Sequence, residues 1–482
     1  MRRVSLLVFI GIFLLSISKD IHASPWVGSI DPQLHHDLQL LSEWGYIDAA
    51  VTSFPVPWKG IVAQLDLLDE ADLPPSALIA LQRLKHYLQQ LQRNERQSFV
   101  TMYAANDENR LGTFDGANFS QGRLSFDTEL YSGRWAANVS INYLPGGQKN
   151  LDDSFVAYQF GNWNLRLGAI DQWWGPSNSS SLVLSSNARP IPALAFSRAE
   201  SNRSEDSWLS FLGPWYFTTQ IGQLESNRHI ADAKISMTRF NFKPLSALEL
   251  GASWLTIWGG EAQGNGITDF WDALTYRAQC LDDTVGCAAN NKVHKGAHIA
   301  AFDFKYSLKL AKTPISFYGQ FLAETRDAEP AKLLGLASYI NGVRFYLETS
   351  DTTGSCSDKL PESNNCIYED DVYRSGLRFH GRAIGSTFDS DAKVMSIGAN
   401  KHFSDGDVID LVLRRIELNQ DKLMPSPIVV GKSEKVLQLT GFYQTNMNKL
   451  QIKVGGKIER SESDQQDGTF DTLFYTQLKY AF

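Results

Sequence analysis

The chain contains little cysteine and, after its first segment, no long apolar run. Only 4 of its 482 residues are cysteine, and beyond residue 23 no stretch reaches the ~18 consecutive apolar residues that a membrane-spanning helix requires. The sequence therefore predicts no helical span in that region. Strands that cross a membrane need only alternate apolar residues, so the hydrophobic fraction of 43% fits either a soluble β-rich protein or a membrane barrel.

Signatures of enzymes and of nucleic-acid binding are also missing. The stretch 431–433 (GKS) is similar to the end of a phosphate-binding loop, but Ser426 stands where the leading glycine should be. Neither HExxH nor GxSxG occurs. Adjacent acids such as Asp152 and Asp153 are typical of solvated turns rather than of a catalytic carboxylate pair. We therefore predict no enzyme, no catalytic residue and no cofactor, and the net charge of -8 gives no reason to expect nucleic acid.

The few cysteines fall into two close pairs. In an exported chain they would meet an oxidising compartment, where each pair would staple a short loop. Three connectivities are possible, and the short spacings favour the local one. A metal site would need CxxC-like spacing or additional histidines, of which only His294 and His298 are near, so we predict no metal. The expected disulfides join Cys280 to Cys287 and Cys356 to Cys366.

The first segment has the pattern of a secretory signal peptide. Arg2 and Arg3 precede an apolar run at 4–17, and Ile21, His22 and Ala23 form a cleavage-type site. A retained membrane anchor is the alternative, but the run is short for a spanning helix. We predict a signal peptide over 1–23, which leaves secreted, periplasmic or outer-membrane fates.

Residues 24–96 have helical periodicity. Asp31 and Pro32 suit the start of a helix whose apolar stripe carries leucine at 34, 38 and 41. A second short helix is expected after Pro57, and a third begins near Pro75 with leucines spaced three and four apart. These segments predict a small N-terminal α-helical bundle, or a cover for the mouth of something larger.

From residue 97 to the end the period changes to two, as in strands. In the last stretch, 469–482, alternate residues are apolar or aromatic and the others polar, and the chain ends on Phe482. An edge strand of a soluble sandwich is the alternative. Short and long links alternate along 97–482, with 172–206 and 351–390 among the long ones, as in outer-membrane barrels. This predicts about eighteen antiparallel strands, provided that 373–383 lies in an outer loop, with Phe482 as the signal for the barrel assembly machinery.

Several motifs, in order along the whole mature chain, resemble the Wzi family of capsule assembly outer-membrane proteins. They are SPWVGSIDPQL (24–34), WGYID (44–48), FPVPWKGI (54–61), DQWWGP (171–176), SSNARPIP (185–192), FLGPW (211–215) and RFHGRAIG (378–385). The resemblance implies an all-β transmembrane barrel of about eighteen antiparallel strands with a periplasmic helical bundle at its base. It also implies a lectin-like role in holding capsular polysaccharide against the outer membrane.

Candidate binding residues lie in the predicted long loops. Sugars need flat apolar faces, and uronates suit the planar fork of arginine. The alternatives are aromatic-belt or loop packing for the tryptophans, and internal salt bridges to partners such as Asp389 for the arginines. The loop from 351 also carries Arg374 and His380. The polysaccharide candidates are Trp173, Trp174, Arg189, Trp271, Arg378 and Arg382.

These patterns lead to one functional hypothesis and two alternatives. The first is a surface lectin, integral in the Gram-negative outer membrane and in contact with its lipid, that attaches or organises acidic capsular polysaccharide. The main alternative is a diffusion channel for sugars or oligosaccharides. A structural role in assembly without direct sugar contact is the third.

Overall fold

The computed structural model describes residue 26 and residues 32–93, 96–113, 118–204, 207–275, 296–310, 313–324, 329–354, 364–370, 372–423, 428–429, 431–464 and 466–482. The predicted signal peptide lies outside this part of the chain, as do Cys280, Cys287 and Cys356. Cys366 lies inside it and is not a free thiol. The two predicted disulfide pairings therefore stay predictions.

Three α-helices of the described residues precede the first long strand. Helix α1 covers Pro32–Glu43, α2 covers Ile61–Asp66 and α3 covers Pro75–Arg93. Their leucine stripes meet in one apolar cluster with Leu38 and Leu84 fully buried, and this cluster continues onto Tyr131 and Tyr339 of the barrel's inner wall. In the described part of the chain, no helix combines the length and the apolarity that crossing a membrane would take.

Eighteen long strands of the described residues close into one antiparallel barrel, which confirms the predicted number. The last strand pairs with the first, with Tyr103 opposite Gln477, so the wall has no free edge. The wall strands are β1 (Arg96–Ala105), β2 (Gly122–Ser132), β3 (Trp135–Tyr143), β4 (Phe155–Phe160), β5 (Trp163–Gly168), β6 (Ala193–Arg198), β7 (Trp215–Gln223), β8 (Lys234–Leu245), β9 (Leu248–Trp258), β10 (Ala297–Leu310), β11 (Thr313–Ala323), β12 (Ala331–Ile340), β13 (Val343–Asp351), β14 (Ala392–His402), β15 (Val408–Leu418), β16 (Glu434–Met447), β17 (Leu450–Ser463) and β18 (Gln466–Ala481).

The two faces of the wall follow the strand period. On β15, Leu411 and Leu413 are 51% and 45% exposed on the outside, whereas Asp410 and Arg414, which flank this pair in the strand, are buried inside. A continuous apolar outer face with a polar interior is the reverse of a soluble protein and suits a hydrocarbon environment. The strand pattern in the sequence therefore marks which residues meet lipid.

The two ends of the barrel differ in the lengths of their connections. At the end reached by α3 and Phe482, here called the turn end, the connections are mostly short, such as 133–134, 246–247 and 341–342. At the opposite end, here called the loop end, they include 106–121, 169–192, 259–296 and 352–391. Within the last of these, Arg378–Phe379 and Arg382–Ala383 form a separate hairpin outside the wall, so the even strand count holds.

One predicted loop was assigned wrongly. The long link expected over 172–206 contains wall strand β6, and a 3-10 helix, Ser207–Leu212, occupies the segment before Gly213. The inward positions of β6 are small residues, Ala193, Ala195 and Ser197, so the contrast between its two faces is weak in the sequence. The long connection 199–214 consequently lies at the turn end.

The chain after α1 enters the barrel and bonds to its inner wall. The backbone N–H of Thr52 donates to Glu249 Oε1 over 2.9 Å, and its hydroxyl donates to the same oxygen over 2.7 Å. Arg239 Nε donates to Ser53 Oγ over 2.5 Å, and Arg239 also pairs with Asp303, Nη1 to Oδ2, over 2.6 Å. All of these polar groups are buried, and the hydrogen bonds and the ion pair between them offset the cost of removing them from water.

Replacing Arg239 by methionine is expected to destabilise the barrel strongly. The change leaves the carboxylate of Asp303 buried without its cation, which costs about 3–5 kcal/mol of unfolding free energy. Arg415→Met is the matched control, because Arg415 is 71% exposed and its pair with Glu417 is worth under about 1 kcal/mol. Urea unfolding of each variant in detergent, monitored by heat-modifiable migration, measures the change in unfolding free energy. Equal urea midpoints for the two variants would contradict the stabilising role of the pair between Arg239 and Asp303.

Candidate functional site

Two loops from the loop end fold inward, and the first of them meets the N-terminal segment inside the barrel. Trp173–Trp174 pairs antiparallel with Ser53–Phe54, so a two-stranded sheet joins the loop 169–192 to the chain that enters from the turn end. Beyond it, Asn178 and Ser179 donate their backbone N–H groups to the carboxylate of Glu348 on β13, over 2.6 and 2.9 Å. The loop therefore fills the lumen instead of standing above it.

The second inward loop packs on the first. Tyr368 donates its hydroxyl to the carbonyl of Leu182, and the N–H of Ser185 donates to the carbonyl of Ile384 over 2.9 Å. The side chains of Tyr368 and Ile384 are both buried. We call the segments 169–192 and 364–391 together the inner cap. It lies across the lumen at the loop end.

Trp173 and Trp174 are core residues of this arrangement. Each is only 1% exposed, Trp173 against the helices and Trp174 within the inner cap. In this structure neither indole offers an open face to a polymer. Both tryptophans were predicted to lie in a loop, but the inward course of that loop depends on pairing with Ser53–Phe54, which lies more than a hundred residues away in the chain.

The side chains of Arg378 and Arg382 also bond to other residues of the loops. Arg378 forms a fork to Asp389, Nε to Oδ2 over 2.9 Å and Nη2 to Oδ1 over 2.8 Å, and also pairs with Glu369. Arg382 donates to the carbonyls of residues 109 and 110 and lies 3.5 Å from the ring centroid of Phe119. The internal salt bridge considered from the sequence as the alternative is the geometry observed for Arg378.

The tip of the inner-cap hairpin points outward. His380 and Gly381 both have positive φ, 50° and 77°, as a two-residue hairpin turn of type I′ requires. His380 is exposed, and burial of part of its ring together with the nearby guanidinium of Arg189 lowers the pKa of its imidazole. At neutral pH this imidazole is therefore uncharged and both donates and accepts hydrogen bonds.

Cationic and hydrogen-bonding groups surround this tip. Arg189 is 37% exposed and grips Asp152 with two bonds of 2.8 and 2.9 Å. Arg374 and His229 are exposed, and the backbone N–H of His229 donates to Ser375 Oγ over 2.9 Å, which joins two loops. We call these four residues, Arg189, His229, Arg374 and His380, the tip surface. His229 was not among the binding residues predicted from the sequence, because no regular spacing relates it to the hairpin.

Trp271 presents an open aromatic face at the same end. It lies on the short helix α4, Ile267–Leu274, and is 54% exposed. Its ring contacts Phe270 at 5.5 Å between centroids, and Phe270 contacts Trp258 of β9 at 5.2 Å, so the exposed indole is anchored to the wall. Of the three candidate tryptophans, Trp271 is the one whose geometry suits stacking on a sugar.

A carboxyl pair joins the inner cap to the connection after β15, with Asp391 in the cap and Asp421 in that connection. Asp391 Oδ2 accepts the backbone N–H of Asp421 over 2.9 Å, and Asp421 in turn accepts from Asn365 Nδ2 over 3.1 Å. Burial, with the neighbouring Asp421 carboxylate as a further cause, raises the pKa of Asp391 to about 6. The folded loop therefore holds a proton that the unfolded chain releases at lower pH.

Loop stability is expected to fall as the pH rises through this range. Because the folded pKa of Asp391 is raised, its contribution is fully present below about pH 4 and is lost as the pH rises through about 6. Amide hydrogen exchange in 386–391 and 419–421 should be faster at pH 7 than at pH 5 once intrinsic rates are corrected. Asp391→Asn should remove this pH dependence, and Asp407→Asn at the turn end should keep it. Corrected rates that are equal at both pH values in the unaltered protein would refute the assignment.

The closed wall, the apolar outer face and the loops folded into a polar lumen define a transmembrane β-barrel of the outer-membrane class. The model of the family "Capsule assembly protein Wzi" matches residues 91–473. The match covers most of the chain, so the chain belongs to the Wzi capsule assembly family, which confirms the resemblance noted in its motifs.

Known proteins similar to this chain include one relative and several solved structures. An uncharacterized 55.8 kDa protein in the cps region of Klebsiella pneumoniae is 29% identical over 347 residues, and the match spans 68% of this chain and 65% of the relative. The structure of Wzi from Escherichia coli, described as a carbohydrate-binding β-barrel of the outer membrane involved in group 1 capsule assembly, is 22% identical with a TM-score of 0.79. It covers 94% of this chain and 99% of that one, and it shows the fold. OprD of Pseudomonas aeruginosa, at 10% identity over 80% of this chain and 94% of its own and a TM-score of 0.46, is too distant to support an argument.

Proposed function

We propose that this protein is a lectin of the cell surface that attaches or organises acidic capsular polysaccharide. The observation that carries the proposal is the loop end, where the inner cap fills the lumen and turns Arg374 and His380 outward, and where α4 exposes Trp271. Membership of the capsule assembly family supports the same role. A planar cation, a neutral imidazole and an anchored indole are groups that bind uronates, hydroxyls and sugar faces respectively.

The proposal includes a location and an orientation. The barrel is integral in the Gram-negative outer membrane, with the loop end outside the cell, because outer-membrane barrels keep short turns on the periplasmic side. Residues 1–23 are removed as a signal peptide, and 24–96 form a periplasmic helical bundle, from which Thr52 and Ser53 reach into the barrel domain 97–482. Phe482, exposed at the turn end, is the signal for the assembly machinery, and two disulfides, Cys280 with Cys287 and Cys356 with Cys366, staple the outer loops.

A diffusion channel is less well supported. Its lumen would need a continuous water path, but the serines of the described segment 177–181 are buried there. The backbone N–H groups of Ser179 and Leu182 donate to Glu348 and Gln320 of the inner wall. The arginines of the interior have partners, as Arg414 shows with Gln438 and Thr440 at 3.1 and 2.9 Å. Charges paired in this way favour a stable support for the loops over selective conduction.

Loss of the two outward arginines is expected to weaken binding of an acidic polymer. The double variant Arg189→Gln and Arg374→Gln removes two exposed guanidinium charges, and we expect about a tenfold loss of affinity, or ~1.4 kcal/mol, for purified acidic capsular polysaccharide of the encoding strain. Co-sedimentation with the folded protein in detergent measures it, with dextran as the neutral polymer.

The matched control removes the same charge elsewhere at this end. Arg415 and Arg460 are 71% and 54% exposed and pair only with near neighbours, so Arg415→Gln with Arg460→Gln should leave binding unchanged. If both double variants bind as well as the unaltered protein, the tip surface is not the site. An equal loss from both would indicate a nonspecific effect of charge.

Trp271→Ala is expected to weaken binding without affecting the barrel. The indole is half exposed, so its removal costs little stability, while the loss of one stacking face should reduce affinity about tenfold. Trp208→Ala is the matched control, since Trp208 is 74% exposed at the turn end, on the 3-10 helix Ser207–Leu212. The same co-sedimentation assay compares them, and unchanged binding by the Trp271 variant would exclude the indole from the site.

A further inference from the structure

The turn end brings together two histidines that the sequence separates widely. His36 lies on α1 and His402 is the last residue of β14. Their rings are parallel within 6° and their centroids are 3.9 Å apart. One ligand atom from each imidazole and one from the carboxylate of Asp37 all lie within 4.8 Å of one another. Two imidazoles and a carboxylate form a donor set that zinc uses in proteins.

The group borders a cavity in the lumen with room for other ligands. Its volume is about 100 Å³, and its lining includes His36, His402, Asn400 and Asp410. The Nδ1 atom of His402 and the Oδ1 atom of Asn400 are buried and have no hydrogen-bond partner in the described structure. Buried polar atoms without partners are rare in proteins and call for an explanation. A cavity of this size holds water or a hydrated ion.

The ion pairs beside the group also leave room for a metal. Asp37 already receives two bonds from Arg83, but a carboxylate has about four lone-pair sites and can also bind a metal. The ion pair with Asp37 compensates the charge of Arg83, and the charge of Arg344 is compensated by Glu43.

We propose that His36, His402 and Asp37 form a site for a divalent cation of the zinc class, with water from the cavity as a further ligand. Zinc ligands at about 2.0–2.2 Å from the metal lie about 3.3 Å apart in tetrahedral geometry, so the three atoms need to approach one another by about 1.5 Å at most. Rotation of the two imidazoles out of their stacked position supplies this movement. The metal would join α1 to the wall strand β14 at the turn end.

Metal titration of the chelator-stripped, tag-free full chain in detergent tests the site. We expect one Zn²⁺ per chain by equilibrium dialysis, and at least about a tenfold weaker Kd in His36→Gln and in His402→Gln. His86→Gln is the matched control, because His86 is an exposed histidine of α3 outside the group. Heat-modifiable migration establishes that each variant is folded.

Cobalt gives an answer that does not depend on the variants. Co²⁺ bound to the unaltered protein should show the visible absorption of a tetrahedral site with nitrogen and oxygen ligands, and Zn²⁺ should displace it. The proposal is overturned if no Co²⁺ band forms, if Zn²⁺ binding stays at background, or if the double variant His36→Gln with His402→Gln binds Zn²⁺ as tightly as the His86 variant. In the first two cases the cavity holds water only, and in the third the zinc binds at another site.

Discussion

The interior of this barrel depends on the cost of burying charge. Eighteen strands enclose a space lined by polar side chains, and a buried charge without a partner costs several kcal/mol. The N-terminal chain and the inner cap supply those partners. Thr52 gives two hydrogen bonds to Glu249, Ser53 receives one from Arg239, and the backbone of Asn178 and Ser179 satisfies Glu348. The contents of the lumen are therefore part of the folded barrel.

The same constraint explains a glycine in a strand. Gly251 on β9 faces the Arg239 and Asp303 pair, and a Cβ at this position would lie 2.5 Å from Asp303 Oδ1. Any other residue would force the carboxylate away from the guanidinium, so the strand gives up β propensity to keep the ion pair. The identity of residue 251 is thus set by a bond between two other strands.

The wall was predictable from the sequence, but most of the candidate binding surface was not. A period of two and an alternation of link lengths are local signals that predicted the strand number, and leucines spaced three and four apart predicted the helices before Arg96. Strand β6 was missed because its inward residues are as small as Ala193 and Ala195. The burial of Trp173 and the approach of His36 to His402 depend on contacts between distant segments, for which no local pattern exists. A guanidinium such as that of Arg378 can bind a ligand carboxylate, but here it forms two hydrogen bonds with Asp389.

The inner cap also bears on how a surface lectin achieves affinity. Each contact to a flexible polymer contributes little binding free energy. If the loops had to become ordered on binding, the loss of conformational entropy would cancel much of that free energy. Here the ordering is complete before a ligand arrives, since Tyr368 and Arg378 hold the hairpin that carries His380 at its tip, and Phe270 holds Trp271. A filled lumen, which is of no use to a channel, is what keeps these loops in place. On this structure the closure of the pore and the proposed retention of polysaccharide have the same physical origin.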